Sequence, residues 1–171
     1  RAFNYVHVIN IMRDMYLIQK KNQIPYLRES TQYLKMAYEY TKAMFNYWMF
    51  PDGVGASEYG NMGEMTLPLY LAQDLEKEGF VQEAAEMNAI FDKKAHFFAS
   101  ENFPFGSEMV YDSTAFEAVY GYGKRIQNEH VMKAAAKASF ANRGKQPVWY
   151  LYNTDVRGGG DTEWNTSYMT Q

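Results

Sequence analysis

Apolar side chains recur at helical spacing in six successive stretches, and the breaks between them alternate between short and long. From about Asn4 to Lys21, Tyr5, Val8, Ile9, Met12, Met15 and Tyr16 share a helical face. Asn22 to Pro25 interrupts it. From about Glu29 to Met49 the face is Tyr33, Leu34, Ala37, Tyr38, Thr41, Met44, Phe45 and Trp48. A long interruption follows, Phe50 to Met65, carrying Pro51, Gly53, Gly55, Gly60 and Gly63. Thr66 is placed as an N-cap with Pro68 in the first turn. The third helix then reaches about Glu78 with Leu67, Tyr70, Leu71 and Leu75, and Gly79 stops it.

The fourth helix begins at once and runs to about Phe98, with Val81, Ala84, Ala85, Asn88, Phe91, Ala95 and Phe98 aligned. The second long break, Asn102 to Ser113, contains Pro104 and Gly106. A fifth helix is expected from about Thr114 to Lys124, on Phe116, Val119, Tyr120 and Gly123. Thr114 and Glu117 have capping-box spacing there. After a short break near Gln127, a sixth helix spans about Asn128 to Asn142, and Gly144 closes it. Its alanine-rich middle favours helix strongly. The third long break, Lys145 to Trp164, ends in Gly158-Gly159-Gly160-Asp161. Val148 to Tyr152 could form a short strand within it, and Asn165 or Thr166 caps a seventh helix.

Short breaks make tight antiparallel helix pairs. The pairs recur at the length usual for paired-helix arrays. In an up-and-down array alternate connections lie at the same end, so the three long loops should share one face. The starts of helices three, five and seven point there too. The expected fold is all-α: antiparallel helical hairpins in one domain over residues 1–171, read as a piece of a larger protein.

Composition narrows the partners. The 171 residues carry a net charge of −3 and no long basic run, so nucleic acid is not expected. No apolar run has membrane-spanning length. There is no cysteine, which removes disulfides, thiolate metal ligands and a cysteine nucleophile. His7, His96 and His130 lack metal-site spacing. His96 fits a helix C-terminus as a cation on the dipole. His7 falls on the long-loop face, within reach of a ligand, and His130 falls at the opposite end in a structural role. Neither a metal nor an organic cofactor is expected. Aromatic residues reach 17%, so some rings must serve at the surface.

The long loops concentrate carboxylates and rings. The first holds Asp52, Glu58, Tyr59 and Glu64. The second holds Glu101, Phe103, Phe105, Glu108, Tyr111 and Asp112. The third holds Trp149, Tyr150, Tyr152, Asp155, Arg157, Asp161, Glu163 and Trp164. Hydrolysis of a glycosidic bond needs a protonated carboxyl at the leaving oxygen and a second carboxylate as nucleophile or base. Glu108 with Asp161 or Glu163 is the candidate catalytic set. Glu58, Tyr59, Phe105, Tyr111, Asp112, Trp149, Tyr152, Arg157 and Trp164 are the candidate substrate contacts. Plainer readings stand beside these. Asp112 and Thr114 can cap helix five, Glu117 is the natural capping-box partner, and Glu58 and Glu64 can be merely solvated. Gly158 to Gly160 has no Walker or Rossmann pattern around it and is read as a turn presenting Asp161 and Glu163.

The hairpin rhythm, with Phe-Pro-Phe-Gly-Ser-Glu-Met-Val-Tyr-Asp-Ser-Thr-Ala-Phe-Glu from Phe103 and Gly-Gly-Gly-Asp-Thr-Glu-Trp-Asn from Gly158, resembles an uncharacterised bacterial family related to six-hairpin glycosidases. The resemblance implies part of an (α/α)6 toroid, with helices one, three, five and seven in the inner ring and a cleft at their N-terminal ends. It implies a carbohydrate partner, a secreted or extracytoplasmic location, and remaining hairpins elsewhere in the same protein. Three hairpins stand here where a full toroid has six. Two alternatives remain open. One is a polysaccharide lyase using Tyr111 or a histidine as base, with Arg157 neutralising a sugar carboxylate. The other is a helical-repeat module that binds a glycan or protein without catalysis.

Overall fold

The computed structural model describes residues 3–24, 26–47, 55–61, 63–102 and 115–141. Among them are six helices: α1 (Phe3–Asn22), α2 (Ser30–Tyr47), α3 (Thr66–Lys77), α4 (Val81–Ser100), α5 (Ala115–Arg125) and α6 (Glu129–Ala141). No described residue lies in a strand; Gly55 and Gly60 make isolated bridges only. The proposed strand at Val148–Tyr152 and the seventh helix lie outside the described residues.

Each short break is closed by a residue in the left-handed region. Gly79 has φ +82°. Its N–H donates to Glu76 O at 3.0 Å, and the Phe80 N–H donates to Leu75 O at 2.9 Å. That is the double-bonded Schellman ending. The α5–α6 corner repeats it with Gln127 at φ 54°, through Gln127 N to Lys124 O and Asn128 N to Gly123 O. Gln23, also at φ 54°, ends α1 with one bond to Gln19 O. Asn128 then caps α6, its Oδ1 accepting from Val131 N at 3.1 Å. Thr66 does not cap α3. It is the first helical residue, and its hydroxyl donates sideways to Asn10 Oδ1 at 3.2 Å.

Paired residues give the helix directions. Asn10 meets Gly63 and Thr66, Arg13 meets Asp74, and Tyr16 meets Glu78. Contacts that climb together mean that α1 and α3 run parallel. Lys35 with Glu83, Tyr38 with Glu86 and Phe45 with Phe91 make α2 and α4 parallel likewise. The odd helices therefore form one layer and the even helices another, as in a segment of an α/α toroid. The connections leaving α2 and α4 leave from the same end, as the alternation of breaks predicts.

The core runs between the layers through Ile9, Leu34, Ala37, Met44, Leu67, Leu71, Leu75, Met87, Phe91, Phe98 and Tyr122. Burial differs from simple spacing in places. On α1, Val6, Ile9 and Tyr16 are buried while Tyr5 and Val8 are exposed, because α2 and α3 share its inner arc. Tyr70, Val81 and Tyr120 are exposed where spacing predicts contact. On α5, Tyr122 takes the buried place that spacing assigns to Tyr120.

Candidate functional site

The end of the bundle where α3 and α5 begin is built around a turn, Asn61 to Glu64. Glu64 N donates to Asn61 O at 3.2 Å, and Leu67 N donates to Glu64 O at 3.0 Å, so one turn leads into the helix. Gly63 takes φ +81°, a conformation that strains any side chain. Its carbonyl accepts from Asn10 Nδ2 at 2.8 Å.

Glu64 is fully buried, as is its partner Lys94. Glu64 Oε1 accepts from Lys94 Nζ at 2.6 Å and from the Tyr122 hydroxyl at 2.6 Å. Its Oε2 accepts from Asn61 N at 3.0 Å and Asn61 Nδ2 at 2.8 Å. Lys94 also donates to Ala56 O at 2.8 Å and lies against the rings of Phe45, Phe98 and Tyr122. Burial pushes the Lys94 ammonium below its ordinary value, while Glu64 pulls it back up. Burial first, and then Glu64, push the Tyr122 hydroxyl well above its own. The carboxylate accepts four hydrogen bonds, so it holds structure rather than supplying a proton. Asn61 Oδ1 is buried without a hydrogen-bond partner among the described residues.

The starts of the three odd helices converge on this floor. Glu117, in the first turn of α5 and half-buried, accepts the Gly63 N–H through Oε1. The half-buried His7 of α1 stands close by: a Cβ on Gly63 would lie 3.8 Å from its Nδ1. Close approach of α5 depends on Gly121, where a Cβ would come within 2.8 Å of Met65 O.

The reading of Glu64 is corrected: it is not a solvated loop acid, since its charge is paired inside. Glu117 gives one oxygen to the Gly63 N–H across the bundle, and its capping-box partner Thr114 lies outside the described residues. Of the proposed substrate contacts, Glu58 is exposed at this end, whereas Tyr59 is 2% exposed and packs inside rather than facing a ligand. Phe105, Glu108, Tyr111, Asp112, Trp149, Tyr152, Arg157, Asp161, Glu163 and Trp164 lie outside the described residues. His96 is exposed and bonds through Nδ1 to the Asp92 carbonyl of its own helix, and His130 is exposed. Among the described residues no group of three or more histidine or carboxylate side chains could hold a metal ion. No described helix is long and apolar enough to cross a membrane.

Lys94 and Tyr122 are the residues that sequence reasoning missed. A signal existed for both. Lys94 follows Phe91 by three positions and precedes Phe98 by four, inside an apolar stripe. Tyr122 follows Ala118 and Val119 at helical spacing.

Residues 1–168 match the model of a family of unknown function, DUF5695. Neither a search of curated proteins nor one of solved structures finds a match.

Proposed function

Because the chain belongs to DUF5695, a family of unknown function, we propose an activity from the site itself: a glycoside hydrolase whose cleft opens where α1, α3 and α5 begin. The observation that supports this reading is the convergence of His7, Gly63, Thr66 and Glu117 at the end from which the connections after α2 and α4 emerge. The Glu64–Lys94–Tyr122 cluster beneath supplies a rigid floor, which a reacting pair needs for constant separation. In this reading Glu108 and one of Asp161 or Glu163 form the acid–base pair; all three lie outside the described residues. A separation of about 5–5.5 Å means retention, and about 6.5–9.5 Å means inversion.

A second reading has one observation in its favour. Glu64 is saturated and one oxygen of Glu117 is taken, so the described acids of the floor act as scaffold. That suits a module that holds a glycan without cleaving it. Incubating the intact protein with a panel of polysaccharides separates the two, since only the hydrolase releases new reducing ends. In the protein that cleaves, Glu108→Gln keeps shape but supplies no proton, and turnover falls by about 10²-fold or more while sugar binding persists. Turnover of the folded Glu108→Gln variant within a few-fold of the parent removes Glu108 from the mechanism.

A further inference from the structure

Between α3, α4 and α5 lies an open cleft of about 390 Å³, within the range of small-molecule sites. It begins one turn below the loop end, where Pro68 and Leu69 of the first turn of α3 form its near edge. Gln73, on its far wall, stands about 10 Å along the α3 axis from Thr66 at the usual helical rise. The cleft opens where α5 stops at Arg125 while α3 continues to Lys77.

Its walls combine four kinds of group. The Tyr70 ring is 42% exposed, and Arg13 sits 5.3 Å from its centroid. Gln73 and Lys124 are exposed. Asp92 keeps about half of its side chain open, at 49%. Arg125 is fixed at three points: to Asp92 Oδ1 at 2.7 Å, to the Pro68 carbonyl at 2.7 Å and to Asn88 Oδ1 at 2.8 Å. That anchoring makes one wall rigid before any ligand arrives, which lowers the ordering cost of binding.

The wall chemistry selects by elimination. Arg125 already neutralises Asp92, so a ligand meets a closed ion pair and the single outlying charge of exposed Lys124 rather than a field of one sign. An apolar molecule would strip water from all of them and return no hydrogen bonds. A neutral polyhydroxylated molecule suits donors and acceptors together, and its flat C–H face suits an aromatic ring. We propose that this cleft is a binding site for a neutral saccharide unit, distinct from the loop-end site. It shares with the proposed function the class of ligand and nothing of the catalysis.

The test is affinity electrophoresis of the intact protein in gels containing soluble starch, xylan, mixed-linkage β-glucan or galactomannan. The parent is retarded in at least one gel. Tyr70→Ala and Gln73→Ala each weaken that retardation by about fivefold or more, the loss of roughly one net contact. Gln73 is an exposed helix position, so Gln73→Ala stays folded even if Tyr70→Ala does not, and melting curves check both. Retardation of Gln73→Ala equal to the parent's, or no retardation in any gel, overturns the site. Hydrolysis by the parent is scored separately. Retardation without cleavage removes the hydrolase and leaves this site standing, and cleavage without retardation does the reverse.

Discussion

Among the described residues, three tyrosine–glutamate–lysine trios join neighbouring parts of the bundle, and they differ mainly in burial. Tyr16 donates to Glu78 Oε1 at 2.9 Å, with Lys20 2.9 Å from Oε2. Tyr38 donates to Glu86, with Lys42 3.1 Å from Oε1. Tyr122 and Lys94 share Glu64 Oε1. The lysine side chains are 46%, 37% and 0% exposed, in that order. In the two outer trios water can replace either partner. In the inner one nothing can, so the same chemistry changes from a surface clasp to an obligatory pairing. Charge at a surface tolerates mismatch, whereas charge in a core must be matched completely.

The sharpest way to break this comparison is Glu64→Ala. It leaves the Lys94 ammonium buried and unpaired, and urea unfolding should show a loss of about 3–5 kcal/mol. Lys94→Met in the same chain should restore much of that loss, because the buried charge is gone. A Glu64→Ala protein as stable as its parent would mean that the inner trio is no different from the outer two. Next comes Gly121→Ala. Its Cβ has no room against Met65, whose backbone cannot yield as a side-chain tip does. The expected cost is about 1–3 kcal/mol, with Tyr122 withdrawn from Glu64. An unchanged melting midpoint would show that α5 can shift freely.

Alkali probes all three trios at once. The hydroxyls of Tyr16, Tyr38 and Tyr122 are raised above their ordinary 10.0. Burial leads for Tyr16 and Tyr122, and the bond to Glu86 leads for Tyr38. A group raised on folding stabilises fully below its unfolded value and loses that contribution as pH climbs past it. Stability should therefore fall above pH 10. The raised Lys42 acts in the same direction above 10.5, and the lowered Lys94 acts oppositely, favouring the fold as pH rises towards 10.5. Phenolate absorbance from these three tyrosines should appear with unfolding, not before it, and Tyr122→Phe should remove the most delayed part. Phenolate from all three in the still-folded chain would contradict the buried geometry.

The smallest effect belongs to Glu86→Gln. Its carboxyl is held below the ordinary value by Tyr38 and then Lys42. For Glu78, burial pushes up, but Lys20 and Tyr16 outweigh it and the net is again downward. Such groups stabilise above pH 4.5 and lose the contribution as pH falls through the folded value. Glu86→Gln should lower the melting midpoint at neutral pH by a small fraction of the Glu64→Ala shift, and by less in high salt. A shift as large as that of Glu64→Ala would erase the distinction between surface and core.

Much of the fold is legible along the chain because its signals are local. Gly79 marks a stop that a left-handed residue satisfies at once, and Asn128 marks a start that its own side chain caps. Tyr16 and Lys20, like Tyr38 and Lys42, stand four apart, so each helix presents a ready phenol–ammonium pair. The alternation of short and long breaks fixes which helices are paired and which connections share an end. The candidate site was harder to read, because Glu64 and Glu117 each have an ordinary local explanation that spacing alone favours.

What the sequence determined by itself, then, was helix, turn and hairpin, the features set by residues within about four positions of each other. Tertiary structure alone decided which glutamate each phenol–ammonium pair would find, and which of them would lose its water. Lys94 is neighbour to Phe91 and Phe98 by sequence, but to Glu64 only by folding. Spacing can place a charge on a buried face, but it cannot supply the opposite charge 30 residues away. That match is made when α3, α4 and α5 close over both groups and desolvation makes their pairing compulsory.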